Sequence, residues 1–338
     1  MSRALSRTTA AAVAAAALLA LAAPAAAGER NRPLPPPDAI GPVETLVSYD
    51  PTRPDLAESV AIDRDGTVYV SLITGGVIDV LEPDGERRTI TLPVGPGGSV
   101  GTLAVGRNET LYASSFTPPA LWRVDAAGTA TKLTDLPEGA QPNGITFDRY
   151  GNLYAADSAL GTVWRLAPGA TEAEPWVVDD LLAPDPDGIT IPGAEDFPVP
   201  GANGVKVFAG RLYVSNSSTA TILRIPLRRD GRPGPVEVAY RDVVADDFAF
   251  DVLGNLYVTT DPFDTVDRVR PDGTLETLLT AEDGLSGPSA VAFGTRHGER
   301  TELYITNLAL FDPADPRPSL QRVDVGVPGL PVPVGPGR

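Results

Sequence analysis

The sequence predicts an all-β fold, a six-bladed β-propeller whose last blade is closed by an N-terminal strand. The first observation is a phrase that occurs six times, an apolar run, an Asp/Gly-type turn and a Leu-Tyr-Val-like strand. Its copies are VAIDRDGTVYVS (60–71), LAVGRNETLYAS (103–114), ITFDRYGNLYAA (145–156), VKVFAGRLYVS (205–215), FAFDVLGNLYVT (248–259) and VAFGTRHGERTELYIT (291–306). The second is the period. The strand tyrosines Tyr69, Tyr112, Tyr154, Tyr213, Tyr257 and Tyr304 are spaced by 43, 42, 59, 44 and 47 residues, close to the roughly 40–50 residues of a four-stranded blade. The third is a strand left over at the start, VETLVSY (43–49), which matches the strand missing from the sixth repeat. Closing the ring with it removes an exposed sheet edge.

Taken in order, residues 1–27 read as a secretory signal peptide. Arg3 and Arg7 precede an Ala/Leu-rich stretch, and Ala25-Ala26-Ala27 precedes Gly28. The apolar run is short for a membrane span, and a retained anchor is the alternative. The expectation is a secreted or extracytoplasmic protein cleaved near Ala27, off the membrane after cleavage. Residues 28–41 are a Pro-rich leader, residues 42–325 the propeller and residues 326–338 a Pro/Gly-rich tail.

Within the propeller each repeat continues with a third strand, as in GVIDVLEPDG (76–85) or TVWRLAPG (162–169), and then a fourth, as in RRTITL or LETLLT. Alternating and β-branched residues cut by Asp-Gly and Pro-Asp-Gly turns predict antiparallel hairpins. No long stretch has helical periodicity. One acidic excursion, residues 179–200, accounts for the 59-residue spacing. It reads either as a lid over a site or as surface decoration.

Composition excludes several chemistries. The 338-residue chain carries a net charge of −17, and loss of Arg3 and Arg7 with the signal leaves −19. No basic patch offsets this, so nucleic acid is not an expected partner. There is no cysteine, hence no disulfide, thiolate nucleophile or thiolate metal site. The single histidine, His297, lies in a first-to-second-strand hairpin and reads as a surface residue. A monomer is expected.

Propeller geometry locates a candidate site. The first strand of each blade runs along the central channel and ends at its hairpin on one face. The last residues before the hairpins align as Asp63, Gly106, Asp148, Phe208, Asp251 and Gly294. Five residues earlier, roughly 17 Å away at the opposite face, stand Glu58, Gly101, Asn143, Asn203, Asp246 and Ser289. Four of these carry hard oxygen donors, and Asp247 beside Asp246 is a fifth. Facing carboxylates repel unless a cation lies between them. Oxygen donors without His or Cys suit Ca²⁺, or Mg²⁺ or Mn²⁺. Asn-Gly and Asp-Asp are also ordinary turn pairs. The second strands end on the same face, at Asp157, Asn216, Asp261 and Asn307; these are candidate pocket or supporting residues.

The repeats with their Glu/Asn/Asp ring resemble the senescence marker protein/gluconolactonase/luciferin-regenerating-enzyme-like family over residues 42–325. Glu58 in LAESVAID, Asn203 in GANGVKVF and Asp246 in ADDFAFD match its metal motifs, and Asn143 in QPNGITFD matches its substrate-side Asn. Paraoxonases are similar, and that likeness would bring in Asp247. The first motif continues Glu58-Ser59-Val60 where the family has Glu-Gly-Pro, and Gln141-Pro142 stands where a basic residue often precedes the substrate Asn.

The resemblance implies six blades, one divalent cation and hydrolysis of a lactone or related ester. In this reading Glu58, Asn143, Asn203, Asp246 and Asp247 hold the metal. Asp246 is also the catalytic group, acting on water. Asn143, Asp157 and Asn216 contact the substrate. The alternative is a non-enzymatic binding or scaffold propeller with a structural ion or none.

Overall fold

In the computed structural model, which describes residues 40–52, 56–107, 110–312, 314–331, 333 and 335, the propeller is six four-stranded antiparallel sheets. The signal peptide and most of the leader expected over 1–41 lie outside the described residues. The innermost strands are Ala57–Ile62, Leu103–Val105, Pro142–Phe147, Ala202–Phe208, Phe248–Phe250 and Pro288–Phe293. The only helical elements among the described residues are single 3-10 turns at Asp180–Leu182, Asp261–Phe263 and Ala281–Asp283.

The closing strand forms as expected. Glu44–Ser48 is the outermost strand of blade six, paired antiparallel with Ser319–Asp324 in the register Glu44↔Arg322 and Ser48↔Ser319. Arg322 Nη2 and Glu44 Oε2 add an ion pair at 2.5 Å.

The repeated phrase has two jobs. In blades one, three and five its Asp holds the hairpin. Asp63 Oδ1 accepts the backbone N–H groups of Asp65, Gly66 and Thr67, while its other oxygen accepts the Tyr69 hydroxyl at 3.2 Å. Asp148 with Tyr154 and Asp251 with Tyr257 repeat the arrangement. Burial and then the adjacent carboxylate push these phenols up, Tyr257 to about 12, so each stays a donor. Each strand tyrosine also packs toward the next blade: Tyr69 on blade two, Tyr112 on blade three, Tyr304 back on blade one.

The apolar core is therefore six layers between neighbouring blades. The axis remains an open channel. At the level two residues before each hairpin its collar is Ala61, Ala104, Thr146, Lys206, Ala249 and Ala292.

The described residues of the Pro/Gly-rich tail pack on the propeller. They cross the hairpin face as a strap. Gly329 N donates to Arg300 O and Leu330 N to Phe250 O, both at 2.8 Å, and Gly335 N reaches Val105 O at 3.2 Å. A Cβ at Gly329 would fall 2.1 Å from Phe293, and one at Gly335 2.3 Å from Phe147. Glycine is what allows the strap to lie this close.

Candidate metal centre on the propeller axis

Glu58, Asn143, Asn203 and Ser289 sit where their inner strands slip register against the second strand. The slips fall between Ala57 and Ser59, Pro142 and Ile145, Ala202 and Val205, and Pro288 and Ala290. Such bulges re-aim side chains and interrupt pairing. In blade five Asp246 and Asp247 both pair with Thr259, Asp246 N with its carbonyl and Asp247 O with its amide.

Hydroxyls from the preceding blade fix the ring from behind. Thr306 Oγ1 donates to Glu58 O at 3.2 Å, Ser114 Oγ to Asn143 O at 2.9 Å, Ser215 Oγ to Asp246 O at 3.2 Å and Thr259 Oγ1 to Ser289 O at 2.9 Å. Ring position is thus set blade to blade. Sequence reasoning passed over this set, yet its signal is present: the residue two after the repeat tyrosine is Ser71, Ser114, Ser215, Thr259 or Thr306 in five of six repeats.

The Asn-Gly pairs are not turns here. Both lie within inner strands, and the glycines admit the neighbouring backbone. A Cβ at Gly144 would fall 2.4 Å from Asn203 O, and one at Gly204 would fall 2.8 Å from Asp246 O. Only glycine lets strands three, four and five converge this closely.

Asn203 and Asp246 meet directly. Asn203 Nδ2 donates to Asp246 Oδ1 at 2.7 Å and to Ser217 Oγ at 3.1 Å. Both amide hydrogens are used, which leaves Oδ1 as the remaining donor atom for a cation. Glu58 is buried, and burial followed by the charge of Asp247 pushes its carboxyl up to about 7. Burial, then Glu58, Asp261 and Asp247, raises Asp246 well above the usual carboxylate range. Asn143 stands at the edge of this group, its Oδ1 accepting the Thr102 hydroxyl at 3.2 Å. Asp247 is turned to another partner: its Oδ1 takes the Lys206 ammonium at 2.5 Å. That pair weakens the case for Asp247 as a ligand.

Two expected substrate contacts are committed elsewhere. Asp157 is buried. Its Oδ1 accepts the backbone N–H groups of Gln141, Ala159 and Leu160, and its Oδ2 accepts Trp164 Nε1 at 2.8 Å. Asn216 donates to Leu181 O and Ala183 O and accepts from Ser218 and Thr219. These bonds satisfy both side chains and give them structural work: Asp157 shapes its loop, and Asn216 anchors the acidic excursion. Asn307 is likewise saturated.

Asp261 breaks this pattern. It is 8% exposed, and its Oδ1 has no hydrogen-bond partner. Burial, then the charges of Glu58 and Asp264, holds its carboxyl well above its ordinary range. Three carboxylates, Glu58 and Asp261 buried and Asp246 half-buried, thus repel one another, while the nearby ammonium is committed to Asp247. This oxygen-donor set fits a hard divalent cation. Among the described residues, no three His, Cys, Asp or Glu side chains are drawn together as a complete ligand group, so amide or backbone oxygens would have to share the coordination.

The excursion at 179–200 crosses this face. Its Leu182 and Ile191 are buried, and Phe197 meets Phe311 of blade six edge-on, with ring centroids 5.1 Å apart. Blades three and six are opposite each other, so the pair spans the ring's side of the disc. His297 lies on the other face and is exposed.

No family model matches the chain, and no curated protein matches it in sequence. Solved structures do match in fold. Luciferin-regenerating enzyme is 15% identical with a TM-score of 0.67, covering 88% of this chain and 99% of that one. The calcium-binding protein regucalcin from Agrobacterium tumefaciens is 18% identical with a TM-score of 0.64, covering 83% and 93%. A gluconolactonase from Xanthomonas campestris is 19% identical with a TM-score of 0.62, covering 85% and 89%. These three are among the propellers that the motifs resemble. Virginiamycin B lyase from Staphylococcus aureus also matches in fold, at 13% identity with a TM-score of 0.59, covering 85% and 99%. At these identities the likeness speaks for the fold.

Proposed function

We propose that this chain is an exported hydrolase of a lactone or related ester. It works with one divalent cation, Ca²⁺ ahead of Mg²⁺ or Mn²⁺, on the propeller axis. The observation that carries the reading is the carboxyl trio of buried Glu58 and Asp261 with half-buried Asp246, whose protonated forms are favoured by desolvation and by one another's charge. The gluconolactonase among the fold's neighbours supports the substrate class, and the export signal in residues 1–27 supports the location.

Glu58, Asn203 and Asp246 would hold the cation, with Asn143 beside them. A bound divalent cation polarises an ester carbonyl and makes water more acidic. Asp246 is the proton acceptor, since no histidine is on this face. Asn203 keeps Asp246 oriented through its 2.7 Å bond. Asn143 Nδ2 has no partner among the described residues and is available to a substrate oxygen. On this reading the Phe197–Phe311 contact holds the 179–200 excursion on the ring's face, where it would limit substrate size.

The test is turnover of a lactone panel with each metal, in wild type and Asp246→Ala. Metal-dependent opening lost in the variant supports the reading, and turnover retained in Asp246→Ala rejects it. A second reading, an exported binding propeller, is favoured by the absence of a complete acidic ligand group among the described residues. Under that reading chelation lowers the melting temperature and no lactone is opened.

A further inference from the structure

Below the polar ring the channel widens into a cavity of about 410 Å³, within the roughly 300–1,000 Å³ of small-molecule sites. Its wall is apolar. The alanine-rich collar leads down to Ile62, Val105, Phe147, Phe250 and Phe293, and Leu330 and Pro331 of the strap form the floor. At the inner end stand Lys206 and Asp247, closed on each other as an ion pair. At the outer rim stand Arg64 and Arg300, both exposed. Neither guanidinium is in an ion pair among the described residues, in a chain whose net charge is −17. A mostly apolar lining with a few charged groups at its ends suits a ligand with an apolar body and a polar head.

We propose that this cavity is a second ligand site, separate from the axial ring, for an amphipathic carboxylate of medium chain length. The alkyl chain fills the channel between the collar and the three phenylalanines. The carboxylate lies at the hairpin face against Arg64 and Arg300, where paired guanidinium contacts are strong and directional. The four alanines of the collar leave the space that the chain occupies. The strap closes the floor, so the ligand enters beside it.

The experiment is calorimetric titration of the full chain with decanoate and, separately, decanol, each below its critical aggregation concentration. The proposal expects saturable binding of one decanoate per chain, unchanged by chelator and by Asp246→Ala. Arg64→Ala with Arg300→Ala, both exposed and safe for folding, should weaken decanoate roughly tenfold and leave decanol unchanged. Ala104→Leu, which fills the collar, should remove both. Absence of saturable binding overturns the proposal. So does decanoate binding that survives the double arginine variant at full strength, or that disappears with Asp246→Ala.

Discussion

Asn203 Nδ2 lies 2.7 Å from Asp246 Oδ1, and through that bond blade four aims the acid of blade five. Asn203→Ala removes the donor and leaves a half-buried carboxylate with one less partner. The expected cost is about 1–3 kcal/mol, with cation affinity down at least roughly tenfold. Chemical denaturation and calcium titration read the two effects separately.

The ring makes the cation-free protein sensitive to pH. Glu58 is raised from 4.5 to about 7, mainly by burial. Between these values the folded chain holds a proton that the unfolded chain has released. Stability therefore falls as pH rises through the window from about 4.5 to 7, and Asp246 and Asp261 act in the same direction. The Glu58 contribution is on the order of 3 kcal/mol. Denaturation in chelator at pH 5 and pH 8 should show the loss, Glu58→Gln should flatten it, and calcium should restore stability at pH 8.

Asp261→Asn separates repulsion from function. The substitution keeps the shape and removes a charge from a crowded, buried site. Without cation the variant should melt higher than wild type at pH 8. With cation the order should reverse, because wild type regains what repulsion took away. Thermal scans with and without calcium check this crossover.

Gly204→Ala places a methyl 2.8 Å from Asp246 O and Asp247 Cα. Backbone on both sides cannot yield cheaply, and the expected destabilisation is about 1–3 kcal/mol. Cation affinity should fall with it, since the added methyl pushes blade five's acid away from Asn203.

Much of this was legible from the chain. The tyrosine period gave the blade count, and VETLVSY declared the closing strand because it lacked any other partner. Glu58, Asn203 and Asp246 emerged from one alignment, since a strand offset becomes a height on the channel wall. The bonds that Asp157 and Asn216 make within the protein were not legible, for a physical reason. A polar residue ending a strand looks the same whether it faces a pocket or caps its own loop, and only the bond count tells the two apart. Asp261 stood among four similar residues and is distinguished by an oxygen left unbonded. The tail's packing was hidden because Pro/Gly-rich sequence reads as linker wherever its contacts are with distant blades, here Phe147 and Phe293.

The Phe197–Phe311 pair ties the 179–200 excursion to blade six, and the proposed function takes it as a roof over the ring. An edge-to-face pair is worth about 0.5–1.5 kcal/mol, so Phe197→Ala should shift stability little. Its effect should appear as substrate range: KM for bulky lactones falls relative to that for small ones. A ratio of KM values that does not change would remove the roof from the account.

The central claim is the axial cation, and metal content tests it most directly. The mature protein, purified without chelator, should carry close to one divalent ion per chain, and Asp246→Ala should carry none. A wild type without bound ion that takes up none from millimolar calcium would contradict the account.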